Sequence, residues 1–186
     1  MRWAHPWMRT GGAAPFAGGS KLFAPAARCS RKARRNQKKR SAGLGHGERA
    51  RSTVVRVVVD ASVVVRALVS ANSAAAEWVE RLGDEETDAS EPDLLFVEVA
   101  QALLGYSRSG LLAADVARSH LEFVTLLPLT VWPSRELAAA AFGLALERNL
   151  SVYDACYAAL AEAEDAVLVT ADRRLDSAVE RVELLT

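Results

Sequence analysis

Beyond position 52 this 186-residue sequence has no lysine, one histidine (His120) and one cysteine (Cys156). With only Cys29 added in the N-terminal part, the chain has no disulfide framework and no Cys/His metal-ligand spacing, so nothing points to secretion or to a zinc site. No stretch of about 18 apolar residues is present to span a membrane. The N-terminus lacks the unbroken apolar core of roughly 7 to 15 residues that a secretory signal needs, and its Gly and Pro residues break any amphipathic transit helix. The expected location is the cytoplasm. The missing lysine also removes a receiver-type phosphorylation site. A P-loop or Rossmann site would need its Gly-rich loop after a strand, but Gly43-Leu44-Gly45-His46-Gly47 precedes the first one.

The neutral total charge hides a division. Residues 1–52 carry 13 Lys+Arg against the single acid Glu48, whereas 53–186 carry 10 Arg against 22 Asp+Glu. The first part combines Gly-Gly pairs, prolines and the basic run from Arg28 to Arg40, with neither apolar period sustained. Such a segment cannot bury enough apolar surface to offset its ordering entropy, and it is expected to be a disordered basic extension. Clustered Arg and Lys can bind nucleic acid by releasing counterions. The simpler account is a solvated tail, or a start codon placed too far upstream, because both methionines and every lysine lie there.

From residue 53 the pattern alternates buried strands with helices. Val54 to Val59 reads as a strand and Ser62 to Leu68 as a helix, followed by a helix from Ala74 to Leu82 capped by Ser73 and stopped by Gly83. Residues 83–90 read as an acidic, turn-rich connection. After Pro92 comes a helix through Arg108, ended by Gly110, then one from about Ala113 to Leu126, a short strand Leu129–Trp132, a helix from a Ser134 cap to about Arg148, and another from Ser151 to about Glu164. Val167–Thr170 is a second clear strand, and a short helix and a strand Val182–Leu185 close the pattern. Continuous β-branched strands separated by helices imply a three-layer α/β domain over 53–186 with a mainly parallel sheet.

Four acids stand out by position. Asp60 and Asp172 follow the two most apolar strands, and the carboxyl ends of parallel strands share one sheet edge, so the two should be neighbours. Glu98 sits in Leu94-Leu95-Phe96-Val97-Glu98-Val99-Ala100, apolar almost all round, where an unpaired carboxylate is costly. Asp154 lies one turn into a helix that is otherwise apolar, with Ala158 and Ala161 leaving room above it. Taken singly, Asp60 and Asp172 are accounted for as helix N-caps, and Ser151 to Asp154 as a capping box. Together, crowded carboxylates repel unless a cation binds among them. Oxygen-only ligands favour Mg²⁺, with Mn²⁺ as a substitute, over Zn²⁺, and His120 on a polar helix face is expected to be a surface residue. With no His, Cys or Lys base in view, the nucleophile must be a water activated by the metal, which suits phosphodiester hydrolysis.

Val-Val-Asp60-Ala-Ser, Glu98-Val-Ala-Gln-Ala-Leu, Tyr-Asp154-Ala-Cys-Tyr-Ala-Ala-Leu-Ala-Glu and Thr-Ala-Asp172-Arg-Arg-Leu, in this order, resemble the motifs of PIN-domain ribonucleases of the VapC toxin type. The similarity covers residues 54 to 186 and none of the extension. Each motif is weak alone, and four in order are specific. The resemblance implies a small α/β/α PIN-like domain, Mg²⁺-dependent endoribonuclease activity in a VapBC-type toxin–antitoxin system, a homodimer, and a cognate VapB-type antitoxin whose tail enters the active-site groove. It makes Asp60, Glu98, Asp154 and Asp172 the metal-centred, catalytic quartet, with Ser62 and Thr170 orienting carboxylates or waters. Gln101 stands where relatives often carry Asn, a departure that leaves the metal ligands intact. The apolar walls of the antitoxin groove are expected from Leu68, Trp78, Val79 and Leu82, with part of this set also serving the core and a pure core role the plainer account of Trp78.

The domain's acidity runs against RNA binding, since nucleic-acid binders usually present a basic face. Arg66, Arg108, Arg173 and Arg174 lie near the motifs as candidate phosphate contacts, a solvated salt-bridging role being the plainer account of each. The alternative function is a non-cleaving PIN-like module that binds RNA or a partner.

Overall fold

The computed structural model describes residues 54–70 and 73–185. The extension over 1–52 and the side chain of Ser73, expected as a cap, lie outside the described residues. The elements are β1 (Val55–Val59), α1 (Ala61–Val69), α2 (Ser73–Arg81), β2 (Thr87–Pro92), α3 (Leu94–Arg108), α4 (Ala114–Thr125), β3 (Thr130–Trp132), α5 (Ser134–Arg148), α6 (Val152–Glu164), β4 (Val167–Thr170), α7 (Arg173–Asp176) and β5 (Val182–Leu184).

The strands form one sheet in the order β3-β2-β1-β4-β5, and every pairing is parallel. Val57, Val58 and Val59 point to alternate faces of β1, yet all three are fully buried. Both faces of the sheet are therefore covered, and each valine contributes about 1.5–3 kcal/mol by leaving water. On the cover, α6 lies across β1, β2 and β4 with α5 alongside it, while α1 packs against α2, α3 and β4. The run Ala155–Ala161 of α6 is buried throughout, with Tyr157 and Leu160 among the largest fully buried side chains. Helices α5 and α6 end at Asn149 and Asp165 in the left-handed region, and Gly110 (φ 75°) follows α3, a residue type each that tolerates this turn.

The expected connection over 83–90 is corrected: from Thr87 the chain forms β2, a strand between β1 and β3. Its sequence, Thr-Asp-Ala-Ser-Glu-Pro, carries no apolar run because Ala89 and Ser90 are small residues buried beneath helices, and its backbone polar groups have neighbours on both sides. Ser134 is corrected as well. It is the first residue of α5, and its N–H and hydroxyl both donate to the Asp93 carboxylate, so the cap comes from the chain just before α3, 41 residues earlier. His120 is 6% exposed: with Ala117 and Val124 it lies on the inward face of α4, and burial lowers its pKa. Leu68, Trp78, Val79 and Leu82 are likewise buried, part of the core and not the walls of an open groove.

Candidate active site

The strand order places β1 and β4 side by side, so the residues that leave their carboxyl ends meet at one edge. Asp60 N–H donates to the Val169 carbonyl (2.9 Å), continuing the β1–β4 ladder one step past the strand. Although Asp60 occupies the N-cap position of α1, its side chain makes no capping bond. The carboxylate turns across to β4: Oδ2 accepts from the hydroxyls of Ser62 and of Thr170 (2.9 Å). Each hydroxyl in turn accepts a backbone N–H, Ser62 from Ala171 (3.1 Å) and Thr170 from Asp172 (3.0 Å). The two hydroxyls thus clamp Asp60 to the turn that carries Asp172.

Glu98 enters from α3. The buried stripe of that helix is Leu95, Val99, Ala102 and Leu103, and Glu98, one turn from Leu95 and Ala102, borders it. Its Oε2 accepts from the hydroxyl of Tyr157 (2.7 Å), a fully buried side chain of α6. Asp154 comes from the first turn of α6, where Ser151 Oγ donates to Asp154 Oδ2 (2.8 Å) and accepts Asp154 N–H (3.1 Å). Asp172 caps α7, accepting Arg174 N–H (2.8 Å), so the capping account holds for Asp172 and fails for Asp60.

The electrostatics separate these acids. Burial pushes Asp60 up to about 6 against the hydroxyls that favour its charge, and Asp154 pushes the same way. Burial raises Glu98 to about 7, opposed by the Tyr157 hydroxyl and reinforced by Asp60 and Asp154. Asp154 is raised mainly by burial and then by Asp172, with Arg174 opposing. Among the described residues none of the four makes a salt bridge. Asp60, Glu98 and Asp154 thus act on one another, Asp172 acts on Asp154, and all four are oxygen donors of the kind a hard divalent ion takes. Among the described residues, however, no three His, Cys, Asp or Glu side chains are grouped so as to hold an ion.

Two participants escaped the sequence reading. Tyr157 stands three residues after Asp154, on the same helix face, and that spacing was the signal available. Glu91, in β2, is 1% exposed; its Oε1 accepts Val59 N–H (2.7 Å) while Oε2 has no hydrogen-bond partner among the described residues. Burial raises its pKa well above the carboxylate range, with Asp60 adding to the shift. Of the arginines, Arg173 and Arg174 are exposed at the rim beside Asp172. Arg66 is engaged by the Leu185 carbonyl, and Arg108 lies ten residues along α3 from Glu98, about 15 Å away.

Residues 57–180 match the family model for the PIN domain, and the chain belongs to that family. Within it, the chain is 37% identical over 123 residues to ribonuclease VapC3 of Pyrobaculum aerophilum, covering 65% of this chain and 92% of that one. It is 36% identical over 121 residues to ribonuclease VapC1 of Mycobacterium tuberculosis, covering 65% and 89%. A crystal structure from Pyrobaculum aerophilum superposes with a TM-score of 0.56 at 29% identity, over 69% of this chain and 83% of the other. VapBC2 of Rickettsia felis, solved on a promoter DNA fragment, gives 0.54 at 16% identity over 71% and 100%, a likeness of fold alone.

Proposed function

We propose that this protein is a metal-dependent endoribonuclease and the toxin of a VapBC-type pair. The observation that carries this reading is the electrostatic coupling of Asp60, Glu98 and Asp154, each raised by burial and by neighbouring carboxylates, with Asp172 beside Asp154 and no salt bridge to any of them among the described residues. Relatives named ribonuclease at 36–37% identity support the choice of substrate class. Asp60, Glu98 and Asp154 would hold Mg²⁺, or Mn²⁺ in its place, with Asp172 at the outer side. When bound, the ion supplies the charge that polarises a phosphodiester and lowers the pKa of a water molecule.

The chain's own residues do the rest. Ser62 and Thr170 fix the orientation of the Asp60 carboxylate, and Tyr157 fixes Glu98 and favours its ionised form. Arg173 and Arg174, exposed and in no salt bridge among the described residues, would meet the phosphate backbone on an otherwise acidic domain. As they stand the acids are not grouped to hold an ion among the described residues, so holding one would require their side chains to turn toward it. A VapB-type antitoxin and a homodimer belong to the same reading. Phe142 (59% exposed) and Leu146 (71%), one turn apart on α5, are the apolar surface that a second copy would cover. Among the described residues no helix is long and apolar enough to cross a membrane.

The lack of a grouped triad favours a second reading, a PIN scaffold that binds RNA or a partner without cutting it. Purified protein incubated with total cellular RNA in Mg²⁺ or in EDTA, with the ends sequenced, decides between them. Metal-dependent, position-specific cleavage supports the enzyme, and intact RNA that co-purifies with the protein supports the scaffold.

A further inference from the structure

We infer that Glu91 is a positioning residue that sets the end of β1, and through it the Asp60 carboxylate, at the metal site. The inference rests on the metal-dependent reading above and deepens it. The register of β1 on β2 runs Val55↔Thr87, Arg56↔Asp88, Val57↔Ala89 and stops there. Two residues further on, Glu91 stands opposite Val59, where the ladder would continue. The Val59 N–H goes instead to the Glu91 side chain, at 2.7 Å.

On its other flank β1 remains in register with β4 through Val59↔Val169, and Asp60 adds its own N–H bond to Val169. The residue before Asp60 is thus tied to β4 by backbone and to β2 by one carboxyl. A backbone acceptor would hold the two strands at ladder spacing; an acceptor at the end of a glutamate side chain lets them diverge while still satisfying the buried donor, which is costly to leave unmade. Divergence at this point falls beside Asp60, whose carboxylate acts on Glu98 and Asp154.

Glu91 is also an expensive way to fill space. It is 1% exposed, Oε2 has no partner, and no cationic side chain pairs with it among the described residues. An apolar side chain of similar size would cost less in such surroundings. A residue that serves packing alone is replaced by Leu or Met without loss. One that holds Val59 is not.

The test uses the full chain, with Mn²⁺ alone as the probe. Dissociation constants are measured by calorimetric titration for wild type, Glu91→Gln, Glu91→Leu and Glu91→Met, alongside melting temperatures in EDTA. Gln keeps the acceptor and is expected to bind Mn²⁺ within about threefold of wild type, whereas Leu and Met are expected to weaken binding by about 10–100-fold, as loss of a group that orients a ligand does. Their metal-free melting temperatures are expected to fall below that of Glu91→Gln, because the buried Val59 N–H loses its acceptor. Met, unbranched and adaptable, serves if the Leu variant does not fold. A folded Leu or Met variant with wild-type Mn²⁺ affinity overturns the role of Glu91 alone. A wild-type chain that takes up no Mn²⁺ overturns the metal reading and the inference with it.

Discussion

Asp60 and Asp172 follow adjacent strands and are tied to the same turn, yet they are held in opposite ways. Asp60 is buried, gives no cap to its helix, and accepts two side-chain hydroxyls while its pKa rises to about 6. Asp172 is half-buried and spends its carboxylate on the first turn of α7. Glu98 falls on the Asp60 side of this contrast, and Asp154, bonded to Ser151 at a helix start, shares features of both. Sequence position alone makes the two aspartates equivalent. Their surroundings make Asp60 a stored electrostatic cost that a cation can relieve, and Asp172 a structural element with charge to spare.

The sharpest way to break the contrast is to neutralise the inner acids. Asp60→Asn or Glu98→Gln should lower metal-dependent RNA cleavage by more than about 100-fold, beyond the loss typical of a group that only orients a ligand. In EDTA at pH 8 the Asp60→Asn melting temperature should equal or exceed that of wild type, because a buried charge has been removed. Undiminished cleavage in both variants would remove the argument for a metal site.

Next in size is the pH dependence of the metal-free chain. The folded-state pKa of Asp60 lies above its ordinary value of 3.8, so between about pH 4 and 6 the folded state binds more protons than the unfolded one. Stability must then fall as pH rises through this window, by on the order of 3 kcal/mol from Asp60 alone, with Glu98 extending the decline toward pH 7. Urea midpoints at pH 5 and pH 8 in EDTA measure it, and saturating Mn²⁺ should flatten the difference, since the ion binds only the folded, ionised site. A midpoint that rises with pH in EDTA would contradict the strain assigned to Asp60.

Tyr157→Phe tests the support of Glu98. The lost hydroxyl favoured the carboxylate, so the acid limb of the cleavage profile should move to higher pH, by up to about one unit, or about 1.4 kcal/mol. A profile that keeps its position while activity falls would mean that Tyr157 acts through packing. The smallest effect belongs to Asp172→Asn. Asn caps as well as Asp, so stability should change by no more than a few tenths of a kcal/mol, and cleavage should suffer less than in Asp60→Asn. Equal losses of cleavage in the two variants would erase the distinction between inner and outer acids.

What could be read from the sequence followed from hydropathy. Val57-Val58-Val59 and Val167-Leu168-Val169 announce strands because they are buried on both faces, and the acids that end them then fall on one edge whatever the loops do. The helix ends at Gly110, Arg148 and Glu164 follow from local chain chemistry in the same way. Strand β2 was hidden because its burial is achieved by small and polar residues whose partners lie elsewhere in the chain. Glu91 was hidden with it, since its acceptor role exists only once Val59 stands opposite. Asp93 capping α5 and Tyr157 reaching Glu98 are likewise long-range pairs, 41 and 59 residues apart, which no local pattern encodes. His120 misled because it stands between Ser119 and the Leu121-Glu122 pair, and the inward stripe of α4 is marked only by Ala117 and Val124.

The Thr170–Asp60 bond joins positions 110 residues apart. During translation at roughly 5–20 residues per second, Asp60 emerges about 5–20 s before the strand that clamps it. Through that interval β1 has no β4 beside it, neither hydroxyl bridge is complete, and Asp172 has not been made. Because the strand order sets the first strand of the domain against a late one, the pocket cannot exist on a growing chain. Its chemistry waits for nearly the whole domain to leave the ribosome.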